Sequence, residues 1–157
     1  MSTAQETTPA LKRFTKIGAD GKPLPFEATI DDHWEVNASA ETGLMWVVWK
    51  KDLIRVPNWR EPQVKKAREA VAKMRFGGFD DWRLPVRREL LTPVDDTRFN
   101  PAIDTEFFPD CPSDWFWSDT NYAPVEGYAW LVHFDDGYAY GGSRNDNGFV
   151  RAVRGGQ

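Results

Sequence analysis

A chain of 157 residues, 41% hydrophobic and 14% aromatic, suffices for one domain that buries roughly two-thirds of its surface. A formal charge of −4 and an isoelectric point near 5.2 exclude a whole-molecule field that gathers nucleic acid or anionic lipid. The charge is uneven: residues 1–98 hold 17 basic and 15 acidic side chains, residues 99–157 hold 3 and 9, so the C-terminal third is the acidic end.

Cys111 is the single cysteine, which excludes an intrachain disulfide and a cysteine-based metal cluster. No apolar run approaches the roughly 18 residues of a membrane span, so no membrane insertion is expected. Residues 1–8 have neither the basic start nor the apolar stretch of a secretory signal. Synthesis in the cytoplasm without a signal peptide is the expectation, with virion association or export by a non-classical route left open.

Residues 1–12 are rich in Ser, Thr, Gln and Glu and are expected to form a flexible tail or docking arm. Residues 13–39 read as an extended N-terminal segment or edge hairpin, with Asp20-Gly21 as a turn and Pro23 and Pro25 favouring extended backbone. The main domain is expected over 40–157. Its first element is the apolar run Leu44-Met45-Trp46-Val47-Val48-Trp49, a buried strand entered through Gly43.

A helix is predicted over 60–76, with Asn58 and Glu61 as a capping pair, Pro62 in the first turn and Gly77 as the stop. Val64, Ala67, Val71 and Met74 make its apolar stripe, and Lys65, Lys66, Arg68, Glu69 and Lys73 face outward. A shorter helix follows over 86–92, with Leu90 and Leu91 turned inward. Residues 93–114, punctuated by four prolines, should be a long ordered loop that buries Phe99, Ile103, Phe107 and Phe108.

The end of the chain reads as β. A strand at 115–118 precedes one at 129–134, where Trp130, Val132 and Phe134 alternate with Leu131 and His133. Asp136-Gly137 is a hairpin turn into 138–140, and Asn147-Gly148 turns into a last strand over 149–154. In that strand Val150 and Ala152 should oppose Phe149, Arg151 and Val153. The fold class is α+β: two helices flanking a small, mainly antiparallel twisted sheet with long ordered loops.

Trp82-Arg83-Leu84-Pro85 with Glu89-Leu90, then Pro101-Ala102-Ile103-Asp104, Phe108-Pro109, Phe116-Trp117-Ser118, Ala129-Trp130, Phe134-Asp135-Asp136-Gly137 and Val150-Arg151-Ala152-Val153-Arg154 follow one another in fixed order. That order resembles the C-terminal domain family named after a bacterial collagen-like adhesin, and Thr42-Gly43-Leu44-Met45-Trp46 resembles its opening strand. The resemblance spans about residues 40–155. It implies a C-type-lectin-like fold in which N- and C-terminal strands pair. It also implies kinship with formylglycine-generating enzymes and with the variable proteins of diversity-generating retroelements.

The Trp82-Arg83-Leu84-Pro85 stretch reads as a fold-defining corner rather than a ligand loop, with Trp82 and Leu84 buried and Arg83 bonded to backbone carbonyls. Trp46, Trp117 and Trp130 are the other expected core anchors. His33 and His133 lack the spacing of a metal site. Gly141-Gly142-Ser143-Arg144-Asn145 lacks the last glycine of a nucleophile elbow. The formylglycine-generating chemistry implies a copper-holding pair of cysteines, and Cys111 stands alone. Asp135-Asp136 and Asn145-Asp146-Asn147 supply oxygen ligands of the kind calcium takes, but are equally what tight turns demand. No cofactor or metal is expected, and the chain reads as non-enzymatic.

Surface aromatics remain. Tyr122, Tyr128, Tyr138 and Tyr140 flank the last strands, with Asp119, Asn121, Ser143, Arg144, Asn145 and Asn147 beside them. Rigid Tyr contacts among adaptable Ser, Asn and Gly are the chemistry of a recognition surface. The reading is a ligand-binding module for adhesion or receptor recognition, whose partner is a protein or glycan on a cell or particle surface. A phage-borne or retroelement-diversified protein fits that description, and homo-oligomerisation stays open. The alternative is a structural or assembly component of a phage or other particle, docking through residues 1–39.

Overall fold

The structure is a computed structural model that describes residues 13–48, 53–109 and 111–156. The expected tail at 1–12, and Trp49 at the end of the first predicted strand, lie outside them. Among the described residues, two α-helices, one short 3-10 helix (Ile30–Asp32) and nine strands make an α+β fold. The strands are β1 (Thr15–Gly18), β2 (Trp34–Ala38), β3 (Leu44–Val47), β4 (Ile54–Val56), β5 (Trp115–Asn121), β6 (Tyr128–His133), β7 (Tyr138–Ser143), β8 (Gly148–Val150) and β9 (Val153–Gly155). They divide between two sheets, ordered β1-β2-β3-β9 and β4-β8-β5-β6-β7, with β5–β8 the one parallel pair among them.

The predicted last strand explains the division. Residues 149–154 form two strands, β8 in the five-stranded sheet and β9 in the four-stranded one, and the chain crosses at Arg151-Ala152. The alternation nevertheless runs through: Val150 and Ala152 pack into one apolar cluster, Phe149 and Val153 into the other. Arg151 is buried at the crossing, where it donates to the Val47 carbonyl (2.8 Å) and lies over Phe108 and Phe116. A charge at this depth is tolerable because it is hydrogen-bonded and faces aromatic rings.

In the four-stranded sheet one row of paired residues runs from edge to edge: Thr15 with Ala38, Ala38 with Met45, Met45 with Arg154. β3, near the start of the stretch that carries the resemblance, thus pairs with β9 at its end. Residues 13–39 supply β1 and β2 of this sheet. Lys16 on β1 points inward, its Nζ bonded to the Ala28 carbonyl (2.7 Å) and 4.0 Å from the Trp34 ring centre.

α1 (Gln63–Ala72) is shorter than the 60–76 predicted. Asn58 accepts from the Arg60 amide instead of capping the helix. Val64, Ala67 and Val71 are buried as one stripe. α2 (Arg87–Leu91) starts with Glu89 accepting from the Val86 amide (2.9 Å), and Leu90 is its buried residue. Between the helices, Gly77 adopts φ 63°, and a side chain there would meet Val36 at 2.8 Å. Only glycine fits.

The corner that follows is tied on every side. Trp82 and Leu84 are buried. Arg83 exchanges backbone bonds with Val153 (2.9 Å each way), grips Glu89 with two parallel bonds (2.7 and 2.8 Å), and donates to the Gly155 carbonyl. A carboxylate is therefore its main side-chain partner, with one carbonyl of the expected kind. Two expectations are corrected. Phe99 is 82% exposed, because backbone bonds from Asn100 to Asp135 and from Ala102 to Phe134 fasten the loop beside it and leave Phe99 facing solvent. Trp130 is half-buried rather than core, its ring covered by the Arg87 guanidinium (4.2 Å) and the edge of Tyr122 (4.7 Å between centres).

Candidate functional site

The corner also places the surface formed by β5, β6, β7 and the turn after β7. β5 bulges between Trp117 and Asn121, and the bulge is pinned from the corner side. The Asp119 amide donates to the Pro85 carbonyl (2.8 Å), and the Arg87 amide donates to Thr120 Oγ1 (3.0 Å). Beneath it, Ser118 Oγ donates to the Trp130 carbonyl, while Trp117 stacks flat on Trp59, both fully buried.

Arg144 is the keystone of the turn. It donates to the Trp59 carbonyl (3.1 Å) and to Asn121 Oδ1, and its own carbonyl accepts from the Trp59 amide (2.6 Å). Arg60 reaches Asn145 Oδ1, and Arg68 on α1 grips Asp119 (2.7 Å). Burial, with Arg68 and Arg60 nearby, pulls the Arg144 pKa down, while Asp119 and Glu61 oppose the shift. The hydrogen bond to Asp119 pushes Arg68 the other way.

Two hollows open on this surface. One of about 600 Å³ is lined by Pro57, Trp115, Tyr128, Leu131, Ser143 and Asn145, with Asn147 at its side. The other, about 480 Å³, is lined by Asn121, Tyr122, Val125, Glu126, Tyr128 and Arg144. Tyr128 borders both. Tyr122 is half-buried on Trp130 and fills the space that a side chain on Gly141 would take. Tyr138 (65% exposed) and Tyr140 lie outside both hollows on β7, and Asp119 is occupied by Arg68.

Tyr140 stands edge-on to Trp115 (5.4 Å) and donates its hydroxyl to Asp136 (2.6 Å). Burial alone would raise the Asp136 pKa, but the Tyr140 hydroxyl and the Tyr138 amide outweigh it and hold the carboxyl below its usual range. The same hydrogen bond pushes Tyr140 up. His133 accepts from the Asp135 amide and packs against Trp115. Arg60, Arg68, Trp59 and Trp115 were absent from the sequence expectation for this site. Arg68 reads as a solvated helix residue, and Arg60 and Trp59 lie 85 residues from their partners, so no local signal marks them. Among the described residues, no group of three or more His, Cys, Asp or Glu is placed to hold a metal ion.

The fold and surface define a small α+β module whose polar-aromatic face rests on a rigid corner. The family model of the Lcl C-terminal domain matches residues 35–154, and the chain belongs to that family of adhesin-type modules. A comparison with curated proteins gave no match.

Proposed function

We propose that the chain is a non-catalytic recognition module that binds a protein or glycan on a cell or particle surface through the face spanning 118–147. One observation carries this reading: Tyr128 borders two adjoining hollows rimmed by Asn, Ser and Arg side chains, with Tyr138 exposed on the next strand. An aromatic divider with adaptable polar neighbours suits a ligand that offers both apolar faces and hydrogen-bonding edges. The pairing of β3 with β9 and the loop-rich stretch after α2 support a C-type-lectin-like scaffold.

The test is a screen of glycan and cell-surface panels, followed by titration of the hits against Tyr128→Ala and Asn147→Ala. Loss of an aromatic anchor costs about 1–2 kcal/mol or more, so Tyr128→Ala should weaken binding about tenfold or more. Unchanged affinity in both variants would sink this face. Diversification by a retroelement is a narrower form of the proposal, supported by the exposure of Asn121, Asn145 and Asn147. A near-copy of this coding region beside a reverse transcriptase gene is its test.

A further inference from the structure

Sheet edges left bare invite another strand, so natural sheets blunt them. Three edges here are blunted. β1 is four residues long, shifts register between Ile17 and Gly18, bridges Pro23 and turns Lys16 inward. β4 has three residues and runs into Pro57. β9 is closed by its bridge to Arg83. The fourth edge, β7, is different. Tyr138-Ala139-Tyr140-Gly141-Gly142-Ser143 has six residues in unbroken register with β6, with no charge and no proline.

The direction of its free bonding groups follows from its neighbour. Tyr128 gives its amide to Val125 and its carbonyl to Tyr122, and the Phe134 amide goes to Asp114, so even-numbered residues of β6 bond away from β7. Antiparallel alternation then turns Ala129, Leu131 and His133 toward Gly142, Tyr140 and Tyr138. The amides and carbonyls of Ala139 and Gly141 point to the open side, where no described strand pairs with β7.

We propose that β7 is a strand-pairing edge whose occupant is a second copy of this chain, joined antiparallel about a two-fold axis at Tyr140. In that register Ala139 bonds with Gly141 of the second copy, and Tyr140 meets its own counterpart side by side. Tyr138 lies over Gly142 of the second copy, where no side chain obstructs it. Asp136 falls opposite Arg144 of the second copy, so at each end of the paired strands an acid of one copy adjoins an arginine of the other. The Arg144 guanidinium stays on Asn121 and the Trp59 carbonyl, so the match is between end charges and not a salt bridge. A two-fold axis normal to the sheet turns the same face of both copies to one side. The pair would then offer the proposed binding face twice, and a multivalent surface would be held by avidity.

Sedimentation equilibrium of the full chain is the test. The expected result is a concentration-dependent mass rising from one chain to two, with the Ala139 and Gly141 amides becoming protected from exchange as dimer forms. Ala139→Pro removes an outward donor without touching the β6 ladder and should weaken self-association at least tenfold. Tyr140→Lys and Tyr140→Glu should each be monomeric alone, because like charges then meet across the axis, and an equimolar mixture should dimerise. That rescue guards against a variant that merely unfolds. A wild type that stays monomeric at every concentration, dimers that survive Ala139→Pro, or a Lys/Glu mixture that stays monomeric would each overturn the proposal. A wild type that captures an extended peptide but never itself would overturn the choice of occupant. Loss of ligand binding by Tyr128→Ala bears on the proposed function alone and leaves the mass measurement unaffected.

Discussion

The Trp82–Pro85 corner and the β5–β7 face use similar residues to opposite ends. In the corner, Trp82 is 2% exposed and Arg83 spends its donors on Glu89 and the Gly155 carbonyl, and its backbone bonds Val153. On the face, Tyr138 is exposed, while Arg144 secures the backbone around hollows that stay open. Aromatic plus arginine is therefore no signature of either role. What separates them is whether the ring is enclosed, since the guanidinium holds shape in both.

That contrast can be broken in order of effect. Trp82→Ala removes a large, enclosed side chain and should cost about 3–5 kcal/mol in chemical denaturation. A loss under about 1 kcal/mol would show that the corner is not the rigid member of the pair.

Glu89→Gln breaks the two-bond grip on Arg83 and should cost about 1–3 kcal/mol at neutral pH. Burial alone would raise the Glu89 pKa, but Arg83 and the Val86 amide hold it below the glutamate range. A depressed folded pKa stabilises the native state above the unfolded value, and the benefit fades as pH falls through the folded one. The deficit of Glu89→Gln should therefore narrow as pH drops below about 4.3, which stability curves across pH would show. A pH-independent deficit would contradict the ion-pair account.

Arg144→Ala sits between the two regions, since it exposes binding surface yet unties Trp59 and Asn121. It should cost about 1–2 kcal/mol, so any binding loss must be measured on protein shown to be folded. Tyr138→Ala comes last, with a stability change within about 0.5 kcal/mol. A large loss of stability there would place Tyr138 among the structural residues instead.

Much of the corner is legible in sequence because its signals are local: two glycines, a proline start and a Glu three residues into the helix. The α1 stripe and the Asp136-Gly137 turn belong to the same class. The split of residues 149–154 is not legible, since alternation looks the same whichever sheet a strand joins. Phe99 misleads because apolar character announces burial, whereas backbone bonds on either side of it decide where the loop points. Trp130 is half-open because Arg87, 43 residues away, supplies its cover. On the face, the tyrosines and asparagines are readable as residue types. Their frame of Trp59, Arg60 and Arg68 is assembled only by folding.

The row Thr15–Ala38–Met45–Arg154 fixes where the chain enters and leaves. Three strand spacings place these two points about 14 Å apart at one end of one sheet. A longer polypeptide can step out into this module and return almost to its starting place, as into a plug on two adjacent pins. Tension between the pins would act across the strands of that sheet, with β1 at one pin and, at the other, β9 held by its bridge to Arg83.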